Sequence, residues 1–174
     1  MFQEELDNLA PYRSASPYPK VAVIAKNEYY ADILLDNYSG IESAFTLVNQ
    51  YTYHKNVNLE YDRQIAHHLG QIARVETGHL GILAQLICKL GAYPVYHSSD
   101  RSDLGYWSGL YVGYGRGILE QLQNDLDLEY QMIKNYNTSI HLIKDPNIQS
   151  VLQRLVEDEE VHVEWLERMI RNYY

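Results

Sequence analysis

Two glutamate–histidine pairs of the same spacing are the residues in this sequence best suited to binding metal ions. Glu76 stands three residues before His79, and Glu159 stands three residues before His162. Side chains three residues apart share one face of an α-helix, so each pair presents a carboxylate and an imidazole to the same side. A further carboxylate, Glu129, lies between the two pairs along the sequence. Carboxylate-rich sets with one histidine per ion favour iron or manganese over zinc.

Each of these five residues interrupts a stripe of apolar residues that repeats at alternating intervals of three and four, the period of an amphipathic helix. The apolar members are Ile65, Leu69, Ile72, Leu83, Leu86 and Leu90 around the first pair, Ile148, Leu152, Leu155, Leu166 and Met169 around the second, and Ile118, Leu122, Ile133, Tyr136, Ile140 and Ile143 around Glu129. A buried carboxylate or imidazole without a partner costs several kcal/mol, so the five residues require a common partner in the core.

We therefore predict a site for two metal ions in the middle of the core. The predicted ligands are Glu76, His79, Glu129, Glu159 and His162. Each histidine would bind one ion, Glu129 would join His162, and the glutamate of each pair would bridge. Asp158 and Asp125 are predicted to accept ring N–H bonds from the ligating histidines, the alternative for Asp158 being a solvated surface charge. A purely structural network of buried polar groups is the alternative to the metal site.

Four long helices are predicted to position these residues. Caps and turn residues place them at about 27–54, 58–90, 107–143, and from 145 nearly to the C-terminus. Short links make the first and second helices antiparallel neighbours, and likewise the third and fourth. The connector 92–106 can cover about 50 Å when extended, enough to climb back along the second helix. The expected fold is all-α, an antiparallel four-helix bundle with a long crossover between the second and third helices.

The chain divides into an arm and a single bundle. Residues 1–25 contain three of the five prolines and show no helical period, so they are predicted to form an extended arm on the body. Residues 26–174 are predicted to form the bundle, and a chain of 174 residues suits one such domain.

Composition excludes several classes of function. The formal net charge of −9 opposes binding to nucleic acid or to anionic membrane surfaces. The single cysteine, Cys88, excludes an internal disulfide and four-cysteine metal sites, and it fits a reducing, cytoplasmic setting. No apolar stretch approaches the length of a membrane span, and the start of the chain is acidic where a signal peptide would be basic.

Over about residues 27–172 the sequence resembles the ferritin-like di-metal carboxylate superfamily. The segments 125–129 and 158–167, with Gln50 and Tyr51 on the first helix, resemble bacterioferritin. The arm segment 18–21 and the Tyr38-Ser39-Gly40 turn of helix are more similar to short manganese-catalase-like and rubrerythrin-like proteins. The resemblance implies two iron or two manganese ions that react with peroxide or dioxygen. It also implies that Tyr51 lies near the ions as a catalytic residue able to pass single electrons, the alternative being an ordinary core tyrosine.

The sequence departs from this family at informative positions. Ala44 stands where the resemblance implies a ligating glutamate on the first helix, so one ion or none is an alternative to two. Glu42 is the nearest substitute and would reach the metal only if the helix were locally irregular. Thr77 stands where bacterioferritin carries its haem-ligating methionine, so no haem is expected. No further helix is expected after the fourth helix of the bundle, so we expect a homodimer rather than a storage cage.

The predicted function is that of a di-metal oxidoreductase of the peroxidase, catalase or ferroxidase type, acting on peroxide or dioxygen with an unidentified electron donor. Two alternatives remain open. One is a non-catalytic structural or coat-type bundle with a degenerate metal site, and the other is iron binding or storage.

Overall fold

Helices account for most of residues 9–173, the part of the chain that this computed structural model describes. The five α-helices are α1 (Glu28–Ser39), α2 (Ala44–Asn58), α3 (Arg63–Leu90), α4 (Ile118–Leu142) and α5 (Pro146–Tyr173). Within this range the only β pairing is an isolated bridge between His97 and Tyr106. The prediction of an all-α bundle is confirmed.

The first predicted helix is interrupted, so that α1 and α2 are separate segments of one corner of the bundle. Gly40 ends α1 with an extended backbone, and a Cβ atom there would lie 2.6 Å from the Asp36 carbonyl oxygen. Ser43 then begins α2 as its N-cap, with its hydroxyl accepting a hydrogen bond from the Thr46 N–H. Prediction of one continuous helix over 27–54 was therefore wrong, because a glycine stop and a serine start lie inside it.

The other predicted boundaries shift in a similar way. Asp62, rather than Asn58, is the N-cap of α3, and its carboxylate accepts from the N–H groups of Gln64 and Ile65. The third predicted helix begins at Ile118 instead of Trp107, since the preceding residues include four glycines and a short 3-10 turn at Gly109–Tyr111. The crossover between α3 and α4 is correspondingly longer than predicted.

Packing follows the predicted pairs. Helix α2 lies against α3, and α4 lies against α5, with a three-residue link at 143–145 joining the latter two. The residues of the apolar stripes are buried or pack against the buried core. Among the described helices none is both long and apolar enough to cross a bilayer.

Residues 9–25 form an arm that runs along α5. Near its start, the Tyr12 ring stacks on Trp165 at 5.0 Å, and the Trp165 indole N–H donates to the Pro11 carbonyl oxygen at 2.8 Å. Near its end, the Ile24 N–H donates to the Asp145 carboxylate at the start of α5. Residues 1–8 of the predicted arm lie outside the described residues.

Candidate metal centre

The five predicted ligands meet in the middle of the bundle. Glu76 and His79 come from α3, Glu129 comes from α4, and Glu159 and His162 come from α5. All five side chains are completely buried. Each long helix contributes them near its midpoint, where the apolar stripe would otherwise continue, so helix period and bundle packing together produce the convergence.

The part of the cluster around His162 is the tighter one. His162 Nδ1 lies 3.1 Å from Glu76 Oε1, 3.3 Å from Glu129 Oε1 and 3.1 Å from Glu159 Oε2. Four donor atoms, one from each of these residues, lie within 4.8 Å of one another. We call this set of four residues the His162 half. Glu129 is the carboxylate that belongs to this half alone.

The second histidine completes a second half. His79 Nδ1 lies 3.4 Å from Glu76 Oε1 and 3.3 Å from Glu159 Oε1. The two imidazole rings are 6.1 Å apart, with both glutamates between them. We call His79 with these two shared glutamates the His79 half. The arrangement is the one expected for two ions bridged by the glutamates of the two pairs.

Polar atoms without hydrogen bonds are concentrated in this cluster. Among the described residues, five such buried atoms belong to it: both carboxylate oxygens of Glu76, Glu129 Oε2, Glu159 Oε1 and His79 Nδ1. Buried polar atoms are nearly always paired, so several unpaired acceptors in one place require an explanation. Three carboxylates and two imidazole nitrogens form a donor set that suits cations such as iron or manganese.

The electrostatics of the cluster also favour positive charge. Burial disfavours the charged imidazole of His79, but the charges of Glu76 and Glu159 outweigh it and hold the pKa well above 6.5. The pKa of His162 is raised in the same way, chiefly by Glu129. For Glu129, burial and the charge of Glu159 raise the pKa well above 4.5. The two imidazoles and Glu129 therefore hold protons that a metal ion would displace.

Outer contacts fix the orientation of both imidazoles. His79 Nε2 donates to Asp158 Oδ2 at 3.0 Å, and His162 Nε2 donates to the Tyr12 carbonyl oxygen at 3.0 Å. Since both partners are acceptors, Nε2 carries the proton of each neutral ring and the lone pair of Nδ1 faces the cluster. Asp158 is thus the outer partner of His79, as predicted, and not a solvated charge.

Asp158 is held by a second set of contacts. It pairs with Arg154 at 2.5 Å and accepts from the Ser14 N–H at 2.7 Å and from the Tyr18 hydroxyl. Burial acts to raise its pKa, but the hydrogen bonds from His79, Tyr18 and Arg154 lower it to about 2. The carboxylate is therefore ionised and able to orient His79.

The arm was missed as part of the site by the sequence analysis. Its residues provide the Tyr12 carbonyl, the Ser14 N–H and the Tyr18 hydroxyl, and Arg154 binds it through the carbonyls of Ser14 and Ser16. A backbone carbonyl has no side-chain signature in a sequence. The one available signal was Arg154, a charged residue on the buried face of α5, one turn before Asp158.

Asp125 does not contact a predicted ligand, contrary to expectation. Its carboxylate lies 2.9 Å from His54 Nδ1 and accepts from the Gln50 amide at 2.9 Å. His54 is turned away from the cluster, with its other ring nitrogen 2.9 Å from the Gly113 carbonyl oxygen. One turn of α4 separates Asp125 from Glu129, so it faces α2 above the cluster.

Tyr51 lies directly against the cluster. Its hydroxyl donates to Glu129 Oε1, and the side chain is fully buried. Burial and then the charge of Glu129 raise the pKa of Tyr51 well above 10.0. The tyrosine is therefore a protonated donor that holds one ligand carboxylate in place, and its catalytic role stays a prediction.

No carboxylate of α2 replaces the one that the resemblance implies. Ala44, the first residue of α2, is fully buried. The local irregularity that Glu42 needed is present, since Glu42 lies in the break between α1 and α2, but its side chain is exposed. Only its backbone carbonyl is engaged, by the Asn135 amide at 3.1 Å. The expectation that Glu42 could reach the metal is wrong in this structure.

Comparison with known proteins identifies similar sequences and folds. The sequence model of the ferritin-like domain family matches residues 39–173 of this chain. A manganese catalase from Anabaena superposes with a TM-score of 0.82 at 19% identity, covering 92% of this chain and 80% of that chain. A bacterioferritin from Rhodobacter capsulatus, with haem iron and a metal-free dinuclear site, gives a TM-score of 0.70 at 23% identity, covering 85% and 88%. Bacterioferritin from Mycobacterium tuberculosis gives 0.69 at 22% identity, covering 85% and 87%. No curated protein matches by sequence.

Proposed function

The chain belongs to the ferritin-like domain family, and on that premise we propose that it is a di-metal oxidoreductase acting on peroxide or dioxygen. The observation that carries the proposal is a group of five buried polar atoms without hydrogen bonds, four carboxylate oxygens and His79 Nδ1, in a cluster whose two histidine rings are 6.1 Å apart. Two iron or two manganese ions would supply the paired electrons that such a reaction needs.

The residues of the chain have distinct roles in this proposal. Glu129 and His162 would hold one ion, His79 would hold the other, and Glu76 and Glu159 would be shared by both halves. Asp158 and the Tyr12 carbonyl keep both imidazoles in the tautomer that offers Nδ1. Tyr51 donates a hydrogen bond to the Glu129 carboxylate, and its proposed role is to pass single electrons to the metal site.

The fold comparisons support this class of chemistry. Both a manganese catalase and bacterioferritins share the arrangement of helices that brings the five ligands together. The donor set does not distinguish manganese from iron, so the substrate is proposed only as peroxide or dioxygen. We further propose a homodimer and an electron donor that is still to be identified.

A competing function, that of a non-catalytic structural bundle with a degenerate metal site, is favoured by one observation. The carboxylates near His79 Nδ1 are the two shared glutamates, and Ala44 stands where the family resemblance implies a further ligating glutamate. A bundle that has lost its metals and kept a structural role would show such a gap. Iron storage is the third function considered, and it would require a large hollow assembly.

Metal counting tests the proposal. The protein would be produced with iron and manganese supplied, desalted, and analysed for both metals by elemental mass spectrometry and for peroxide consumption. We expect close to two ions per chain and peroxide turnover. Glu159→Gln should lose both ions, while the matched control Glu160→Gln, which changes the exposed neighbour, should keep them. A wild-type protein without metal would overturn the proposal, and sedimentation as a large shell would favour storage.

A further inference from the structure

We propose that the phenol oxygen of Tyr136 is the ligand that completes the His79 half. This inference rests on the proposed function, since it assumes that two ions bind in the cluster. It assigns to the site a residue that is neither a carboxylate nor an imidazole and that lies on α4, where Glu129 already serves the other half.

Tyr136 is buried in a way that its chemistry does not explain. The side chain is fully buried, and its hydroxyl is one of the few buried polar atoms without a hydrogen-bond partner. Buried tyrosine hydroxyls usually find a partner, because an unpaired one loses its hydrogen bond to water without compensation. Phenylalanine would fill nearly the same space without that penalty.

The position of Tyr136 on α4 directs it toward the cluster. It follows Glu129 by seven residues, which is close to two helical turns, so both side chains lie on the inner face. Side chains in a helix lean toward its N-terminus, and in α4 that direction leads from Tyr136 back toward Glu129. The phenol therefore approaches the cluster from the side opposite to Asp125.

The charges that act on the two buried tyrosines differ. Burial, then Glu159, then Glu76 and Glu129 raise the pKa of Tyr136 well above 10.0, while His79 opposes them. For Tyr51 the nearest charge is that of Glu129, to which its hydroxyl donates. Tyr51 is therefore bonded to the His162 half, whereas the strongest charges acting on Tyr136 are those of Glu159, His79 and Glu76.

A phenol ligand would also balance the charge of the site. The three cluster glutamates carry three negative charges, against four positive charges on two divalent ions. When Tyr136 binds, its O–H bond breaks, an oxygen–metal bond forms, and the proton leaves to solvent, with no change in electron count. The resulting phenolate supplies the fourth negative charge, and tyrosine is a known ligand of protein-bound iron. Ala44 has no ligating atom in its side chain, which leaves this role to a residue from another helix.

Iron loading provides a direct test, because a phenolate bound to ferric iron gives a visible charge-transfer absorption and resonance-enhanced phenolate vibrations. Wild-type protein, Tyr136→Phe and Tyr51→Phe would be loaded with iron, oxidised, and compared by absorption, resonance Raman spectroscopy and iron content. We expect the phenolate signal in the wild type and in Tyr51→Phe, and its loss in Tyr136→Phe. Iron affinity at one of the two positions should fall at least about tenfold in Tyr136→Phe.

Thermal unfolding of the metal-free proteins gives a second readout. Tyr136→Phe keeps the ring and removes only the unpaired hydroxyl, so the metal-free variant should unfold at a higher temperature than the wild type. A purely structural tyrosine would not combine this gain with weaker iron binding.

The outcomes separate the two proposals. Two ions per chain with no phenolate signal, or with the same signal and affinity in Tyr136→Phe, would overturn the role of Tyr136 and leave the proposed function intact. Loss of the phenolate signal in Tyr51→Phe instead would assign the phenolate to Tyr51 and would also overturn the inference. A wild-type protein that binds no iron would overturn both.

Discussion

The His162 half and the His79 half use the same Glu-x-x-His pattern, yet their surroundings differ. His162 has three carboxylate oxygens within 3.3 Å of its Nδ1, whereas the two nearest His79 Nδ1 lie 3.3 and 3.4 Å away. At Nε2, on the other side of each ring, the difference in charge is reversed. His162 donates to a neutral backbone carbonyl, whereas His79 donates to the ionised Asp158. The His79 half therefore has fewer carboxylate oxygens near Nδ1 but a charged partner at Nε2.

This difference indicates how a site can tolerate the loss of a ligand. An ionised partner on Nε2 makes the imidazole a stronger donor at Nδ1, which compensates in part for fewer carboxylates. Asp158 in turn is held by Arg154, Ser14 and Tyr18. We infer that the His79 half depends on the arm more heavily than the His162 half does.

The largest effect is expected when Asp158 is neutralised. Asp158→Asn would leave the buried guanidinium of Arg154 without its counter-charge, and the free energy of unfolding should fall by about 3–5 kcal/mol. Metal content should fall to one ion per chain, held by the His162 half. Denaturant unfolding and metal analysis would measure both quantities, with Glu160→Gln as the surface control. Equal loss from both halves would contradict the comparison.

A carboxylate at position 44 would make the two halves alike. Ala44 is fully buried, so Ala44→Glu should destabilise the metal-free protein by about 1–3 kcal/mol through overpacking. If Tyr136 already completes the His79 half, metal content should stay at two ions per chain and the phenolate signal should weaken. A rise in metal content from near zero would instead show that the natural site is degenerate.

A smaller effect is expected from the arm. Tyr18→Phe removes one hydrogen bond to Asp158 and should cost about 1 kcal/mol of stability. The ion at the His79 half should bind about tenfold more weakly, because His79 loses part of its orienting shell. Titration with manganese would resolve the two binding steps. Tyr29→Phe, a change at an exposed tyrosine on α1, is the matched control and should leave both steps unchanged.

The smallest expected effect is one of pH, and it lies outside both halves. Burial disfavours protonated His54, but Asp125 outweighs it, so the pKa of His54 is raised above 6.5 in the folded protein. A raised folded pKa stabilises the protein below the unfolded pKa, and this contribution is lost as the pH rises through the folded pKa. Unfolding of His54→Gln should therefore show a flatter dependence above pH 6.5 than the wild type. An identical slope would show that the pair does not titrate there.

The convergence of the five predicted ligands could be predicted because each is a polar interruption in a long apolar stripe. In α3 and α5 the period of three and four residues persists on both sides of the pair, so both helix and face follow from the sequence. The break between α1 and α2 was not predicted, because Leu34, Ile41 and Val48 keep a seven-residue interval across it. A helical period in the sequence does not reveal that Gly40 and Ser43 interrupt the backbone.

What the sequence could not reveal are contacts made by backbone atoms or between distant segments. The Tyr12 carbonyl acts through an atom that every residue has, so no residue type marks it. Tyr136 belongs to an apolar stripe and is indistinguishable there from a core residue. Its unpaired hydroxyl becomes visible only when the neighbours are in place.

The contact between the arm and α5 also determines when, during synthesis of the chain, the two imidazoles can be oriented. Tyr12 and His162 are separated by 150 positions, and Arg154 and Ser16 by 138. During synthesis the arm leaves the ribosome long before α5 exists, so neither imidazole can be oriented until nearly the whole chain has emerged. At the proposed site, tight metal binding would thereby be confined to chains that have been translated through α5, and a prematurely terminated product would remain without the ions.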